Sequence, residues 1–375
     1  MIVPYHLITN PVAPPASDAA FLADLAWSFH QAFPPYRPTP LRRLDVLAQS
    51  LGVASLHVKD ESPRFGLNAF KGLGGSFAMH HWVAQHDTPA DAVFATASDG
   101  NHGRAVAWMA RQLGMRAVVY LPAHTVPARI AAIQDQGARV ELVAEGYDAA
   151  VRRAHEDAAR NGWIVIQDTT LPGYQEVPRW IAAGYWTMAR ELESSLHLLP
   201  AAEVDLVVVH AGVGTWPAAM VEYYWHRYGG HRPRIVVIEP IEAACVLESV
   251  QAGHAVTASG SQRTIMAGLN CGRPSTIALD VLRNSVDAFV AIPDGWAEAA
   301  MRQLATPAGD DPAVIAGESG AAGLAGLLAL GGDPALAPAR AHLGIDSRTR
   351  ILIWSTEGAT DPIDWQRVVG RAVPS

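Results

Sequence analysis

The sequence predicts an α/β protein of two open, mainly parallel twisted sheets with helices on both faces, and three observations carry the prediction. Strand-like and helix-like segments alternate through most of the chain. The strands of the later half are near-continuous apolar runs, which a parallel sheet covered on both faces requires. The 375 residues, 50% hydrophobic and 17% charged, suffice for two domains with sizeable cores at roughly 100–200 residues each. With 32 Gly and 26 Pro, this composition excludes disorder, collagen and coiled coil.

Residues 1–40 read as an N-terminal arm, Pro-rich and weakly periodic, with an apolar patch from Phe21 to Trp27 suited to a short helix. Leu44 to Leu51 has a helical pattern, and Gly52 stands where a left-handed C-cap is needed. Leu56-His57-Val58-Lys59 alternates as a strand does, and the turn Ser62-Pro63-Arg64-Phe65-Gly66-Leu67 leads into Asn68-Ala69-Phe70-Lys71, with Gly72, Gly74 and Gly75 beyond. Four short strands then alternate with three crossover helices. The strands are Ala92 to Ala97, Ala117 to Leu121, Arg139 to Val143 and Trp163 to Gln167, and the helices are Arg104 to Leu113, Pro127 to Gln136 and Ala149 to Asn161. This rhythm predicts a small parallel-sheet domain. Leu206 to His210, Ile235 to Glu239, Ala288 to Ile292 and Ile351 to Trp354 predict a second sheet.

A formal charge of −8 argues against a nucleic-acid partner, which wants a basic face. No apolar stretch reaches the roughly 18–20 residues that span a bilayer, and Met1 to Tyr5 lacks the basic start of a signal peptide, so no membrane partner and a cytoplasmic location are expected. Cys245 and Cys271 fit no zinc spacing and read as buried thiols, with a disulfide between them as the alternative. The histidines, adjacent His80 and His81 included, show no ligand spacing, so no metal site is expected.

Ligands bind an open α/β sheet where strands give way to helices. One such loop is Ala97-Ser98-Asp99-Gly100-Asn101-His102-Gly103, whose glycines let backbone N–H groups approach an anion and whose Ser98 or Asp99 can cap the next helix. Another is Ala211-Gly212-Val213-Gly214-Thr215-Trp216-Pro217, a cradle suited to phosphate. That loop also admits a nicotinamide-dependent oxidoreductase, with Glu239 holding a ribose, although Pro217 stands where a third glycine belongs. The chain has two lysines, Lys59 and Lys71. Lys59, beside Asp60 and Glu61, reads as a paired surface or strand-end charge. Lys71 emerges from an apolar stretch into a glycine-lined space, where desolvation lowers an amine's pKa and favours a Schiff base.

The sequence resembles the diaminopropionate ammonia-lyase family. The resemblance lies in Lys59-Asp60-Glu61-Ser62, Arg64 to Lys71, Asp99 to Gly103, Gln167-Asp168-Thr169, Gly173-Tyr174, Ala211 to Gly214, Ile265 to Leu269, Gly317 to Gly320 and Ser355 to Gly358, and runs from about residue 40 to 361. That family belongs to the pyridoxal-phosphate enzymes of the tryptophan-synthase β fold, fold type II, with the active site between two domains. The resemblance implies a large domain of residues 41–75 and 176–375 and a small one of 76–175. It implies that Lys71 holds pyridoxal phosphate as a Schiff base beside Phe70, that Gly212, Val213, Gly214 and Thr215 cradle its phosphate, that Asn101 meets the ring hydroxyl, and that Ser355 or Thr356 faces the pyridine nitrogen. Ser98 to His102 would receive the substrate carboxylate. The implied reaction is α,β-elimination of 2,3-diaminopropionate, in the L and also the D form, to pyruvate and two ammonia. Lys71 is the base on one face and Asp99 on the other, and Asp168 binds the departing β-ammonium. Trp216 and Pro217 depart from the small residues usual in the phosphate loop. Glu239 and Glu318 read as structural or ring-side contacts rather than acids in the reaction. A serine or threonine dehydratase, or a β-replacement enzyme, would share the skeleton, and the fold commonly forms homodimers.

Overall fold

The computed structural model describes residues 3–98, 100–144, 146–194 and 204–374. Eleven strands are found among them: β1 (Tyr5–Leu7), β2 (Leu41–Arg43), β3 (Ser55–Asp60), β4 (Val93–Ala97), β5 (Arg116–Pro122), β6 (Arg139–Val143), β7 (Ile164–Val165), β8 (Leu206–His210), β9 (Arg234–Pro240), β10 (Ala288–Ile292) and β11 (Arg350–Ser355). They form two sheets, one of seven strands in the order β1-β10-β9-β8-β11-β3-β2 and one of four in the order β6-β5-β4-β7. The smaller sheet is wholly parallel. The larger is parallel except at its edges, where β1 runs antiparallel to β10 and β2 to β3. The two predicted sheets are therefore both present, with the edge strands added.

Every residue of β8 and β10 is buried, the consequence of their unbroken apolar runs. One core fills the space between the sheets, with contributions from the helices Ala19–Ala32, Gly72–Gln85, Glu176–Ser194 and Thr215–Tyr228. A second lies on the far face of the larger sheet, beneath the helices Asp294–Ala305, Ala322–Gly332 and Pro362–Val369, and a smaller third lies between the small sheet and the helix Tyr147–Asn161. The patch at Phe21 belongs to a helix of 14 residues, and β1 pairs Tyr5 with Val290. The last strand of the small sheet is shorter than its apolar pattern predicts. Gln167 ends it, because its side-chain Oε1 accepts from Ala97 N at 2.8 Å and so takes the place of a main-chain partner.

Two helices approach closely behind Lys71. A Cβ at Gly74 would lie 2.8 Å from the Ile181 carbonyl oxygen, and one at Gly184 would lie 2.7 Å from that of Leu73. Only glycine fits such a crossing. Beside it lies a buried ion cluster. Lys59 is the paired strand-end charge expected, next to the last residue of β3, but it is completely buried rather than at the surface, and its Nζ donates to Glu191 Oε2 at 2.5 Å. Arg64 grips the same carboxylate with two N–H groups, at 2.8 and 2.9 Å, and reaches Glu61 at 2.8 Å through Nε. Two cations and two carboxylates balance, which lets the cluster stay buried.

Candidate active site

The carboxyl ends of β4, β8 and β11 open on one cleft. Lys71 enters it at the start of the helix Gly72–Gln85. The preceding segment is pinned to the chain that follows β11: Phe70 N donates to Thr356 O at 3.0 Å, and Gly358 N donates to Asn68 O at 3.0 Å. Asn68 takes a φ of 56°, in the left-handed region, to make this turn.

Lys71 Nζ donates to Asp168 Oδ2 at 2.7 Å; the carboxylate is buried and the lysine half-buried, open to the cleft. This corrects the expectation of a depressed amine. Burial works against the ammonium, but Asp168 and then Tyr185 outweigh it, and the Lys71 amine is held above its ordinary value. Burial likewise pushes the Asp168 carboxyl up, yet Lys71 and His102 bring it down to about 2. His102 Nε2 donates to Ile166 O at 2.9 Å and Nδ1 lies 3.9 Å from Asp168 Oδ2. Burial depresses this imidazole, which favours its neutral form.

Ser98 Oγ accepts from Gly100 N and Gly103 N, each at 2.9 Å, and so caps the helix Asn101–Gln112 at the cleft. Asn101 Nδ2 donates to Glu357 Oε2. Asp99 lies outside the described residues. On the opposite wall, the Gly212 to Thr215 loop precedes the 14-residue helix Thr215–Tyr228. Gly214 has φ 93°, and a Cβ at Gly212 would lie 2.9 Å from Cys271 Sγ. Thr215 Oγ1 donates to the main-chain oxygen of Asp168 at 2.6 Å, tying this loop to the carboxylate that holds Lys71. Pro217 falls in the first helical turn, where a missing N–H costs nothing, and Trp216 forms part of the cleft wall.

The cleft thus brings together Phe70, Lys71, Ser98, Asn101, His102, Asp168, Gly212, Val213, Gly214, Thr215 and Thr356. Ser355 is buried outside its lining, which leaves Thr356 as the hydroxyl that lines it. The lining also includes Trp216, from the expected cradle, and His210, Arg129 and Glu357, which sequence reasoning did not assign to the site. Glu357 sits in a motif that was legible, whereas nothing local marks Arg129. Glu239 holds no ribose: its carboxylate accepts from Val246 N and Leu247 N, each at 2.8 Å, at the start of the helix Cys245–Ala252. The nicotinamide alternative loses its acidic anchor. Cys245 and Cys271 are both buried and are not joined in a disulfide.

These residues fit the cofactor implied by the resemblance. A glycine loop that side chains at Gly212 would fill, followed by a helix N-terminus, suits a phosphate; a lysine and a hydroxyl that line the same cleft suit an aldehyde and a ring nitrogen.

Comparison with known proteins agrees with the geometry. The sequence pattern of the family described as pyridoxal-phosphate dependent enzyme matches residues 32–341. The chain is 39% identical to the diaminopropionate ammonia-lyase of Salmonella typhimurium over 364 residues, covering 91% of this chain and 90% of that one. It is 38% identical to that of Escherichia coli strain K12 over 362 residues, covering 92% and 91%. A crystal structure of diaminopropionate ammonia lyase from Escherichia coli, in complex with an aminoacrylate-PLP azomethine reaction intermediate, superposes with a TM-score of 0.89 at 37% identity, covering 97% of this chain and 96% of that one.

Proposed function

The chain belongs to the pyridoxal-phosphate dependent enzymes and, among them, to the diaminopropionate ammonia-lyase family, and from that membership we propose that it converts 2,3-diaminopropionate to pyruvate and two ammonia. It is a pyridoxal-phosphate-dependent carbon–nitrogen lyase of fold type II rather than a nicotinamide-dependent oxidoreductase. The observation that supports the substrate assignment is the Lys71–Asp168 contact at 2.7 Å, beside the glycine loop that Thr215 ties to Asp168.

When bound, pyridoxal phosphate supplies the electron sink for a carbanion at the substrate Cα. Lys71 holds the cofactor, with Phe70 beside it, and takes the Cα proton on its own face of the substrate. Gly212, Val213, Gly214 and Thr215 hold the phosphate, Asn101 the ring hydroxyl, and Thr356 the pyridine nitrogen. Ser98 and His102 stand at the capped helix start that receives the substrate carboxylate. Asp168, kept anionic, binds the β-ammonium and favours its departure as a neutral amine. Asp99 takes the Cα proton of the D isomer. The released aminoacrylate hydrolyses to pyruvate and the second ammonia.

The working form we propose is a cytoplasmic homodimer, with the cleft between a small domain of residues 76–175 and a large domain of 41–75 and 176–375. Phe21 and Leu25, one helical turn apart, are exposed on the arm of residues 1–40, which supports an apolar contact there.

The experiment is ammonia and pyruvate release from separate L and D isomers of 2,3-diaminopropionate, with serine and threonine alongside. Two ammonia per pyruvate from diaminopropionate is the expected result. Turnover of the hydroxy amino acids alone would move the chain to the dehydratases.

A further inference from the structure

His210, the last residue of β8, is 1% exposed, lines the cleft, and places Nε2 2.8 Å from Thr356 Oγ1. Its other nitrogen, Nδ1, is buried with no hydrogen-bond partner. The Trp216 ring bears on the imidazole, centroid to centroid at 4.7 Å, and is itself packed against Phe70 and Trp354. The imidazole therefore sits in an aromatic wall. Burial, and then Lys71, push its pKa down to about 3, so it is neutral.

A neutral imidazole carries one N–H donor and one acceptor. Unpaired buried N–H groups are rarer in folded proteins than under-satisfied acceptors. The unpartnered Nδ1 is therefore the acceptor, and the proton resides on Nε2, facing Thr356. Nε2–H donates to Thr356 Oγ, and the hydroxyl hydrogen of Thr356 must point elsewhere. Among the described residues that hydroxyl has no hydrogen-bond partner besides His210, and it lines the cleft.

We infer that His210 is a positioning residue: by donating to Thr356 Oγ it obliges the Thr356 hydroxyl to donate into the cleft, and so keeps the pyridine nitrogen of bound pyridoxal phosphate unprotonated. Trp216 fixes the imidazole in the plane that makes this donation. The inference rests on the reading of Thr356 as the partner of the ring nitrogen. It also gives Trp216 a task that its place in a phosphate loop does not.

The test is the ring-nitrogen NMR signal of holoenzyme reconstituted with ¹⁵N-labelled pyridoxal phosphate, at one fixed pH near neutrality. The wild type is expected in the unprotonated range. His210→Gln, whose amide N–H reaches the same oxygen, keeps that position, whereas His210→Leu moves the signal toward the protonated range while cofactor binding and near-ultraviolet circular dichroism persist. His210→Asn, too short to reach Thr356, carries the same expectation should the leucine variant not fold. A wild-type signal in the protonated range overturns the inference. If Thr356→Val moves the signal and neither His210→Leu nor His210→Asn does, the role of His210 falls while the placement of Thr356 stands. If Thr356→Val does not move it either, the placement falls and the inference with it.

Discussion

Lys71 and Asp168, 97 positions apart in sequence, meet at 2.7 Å in the cleft, and each sets the charge of the other. In the apoprotein the pair keeps the lysine an ammonium and the carboxylate an anion.

Replacing Lys71 with alanine should abolish turnover and the visible absorbance of a lysine-linked cofactor. Losses of about 10³-fold or more are usual when a covalent-catalysis residue is removed. A Lys71→Ala enzyme that keeps both the absorbance and the activity would show that the cofactor is held elsewhere.

Asp168→Asn should lower kcat/KM for diaminopropionate by roughly 10²–10⁴-fold, the range of a lost acid–base or charge-binding group. In the apoprotein the same change has a pH signature. The Asp168 carboxyl lies at about 2 when folded and at roughly 3.9 when unfolded, so its contribution to stability is fully present above the unfolded value. That contribution is lost as pH falls through the folded value. The difference in Tm between wild-type and Asp168→Asn apoproteins should be steady above about pH 5 and shrink below about pH 4. A difference that grows on acidification would contradict the assignment.

Gly214→Ala should weaken the hold on the cofactor. The residue has φ 93°, and a Cβ would lie 3.2 Å from that of Ala278, so alanine strains the loop by about 1–2 kcal/mol. Cofactor affinity, read by equilibrium titration of the apoprotein, is expected to fall about tenfold at roughly 1.4 kcal/mol. Unchanged affinity would remove this loop from the phosphate site.

Asp99→Asn should reduce turnover of D-diaminopropionate by about 10²-fold or more and spare the L isomer. Initial rates on the separated isomers decide it, and an equal loss on both would make the residue a general determinant of the loop rather than a base for one face.

Glu191→Leu should destabilise the protein by about 3–5 kcal/mol, because it leaves Lys59 and Arg64 buried without their shared carboxylate. Urea unfolding measures it. A loss under about 1 kcal/mol would mean that solvent reaches the cluster.

Both sheets were legible because a buried parallel strand declares itself in a short apolar run, and the glycine loop at Gly212 to Thr215 because close backbone approach demands glycine at particular places. Lys71 stood out as one of two lysines beside a run of glycines. All of these are local properties. The sequence alone determined the strand–helix order, the two loops that face the cleft, and the lysine between them. Only the tertiary structure decided that the Lys71 amine is raised rather than depressed, that Lys59 is buried, that Thr356 and not Ser355 lines the cleft, and that His210, Arg129 and Glu357 join it. The reason is physical: the charge state and role of a buried polar group depend on partners within a few ångströms, and here those partners come from strands and helices far apart in the chain.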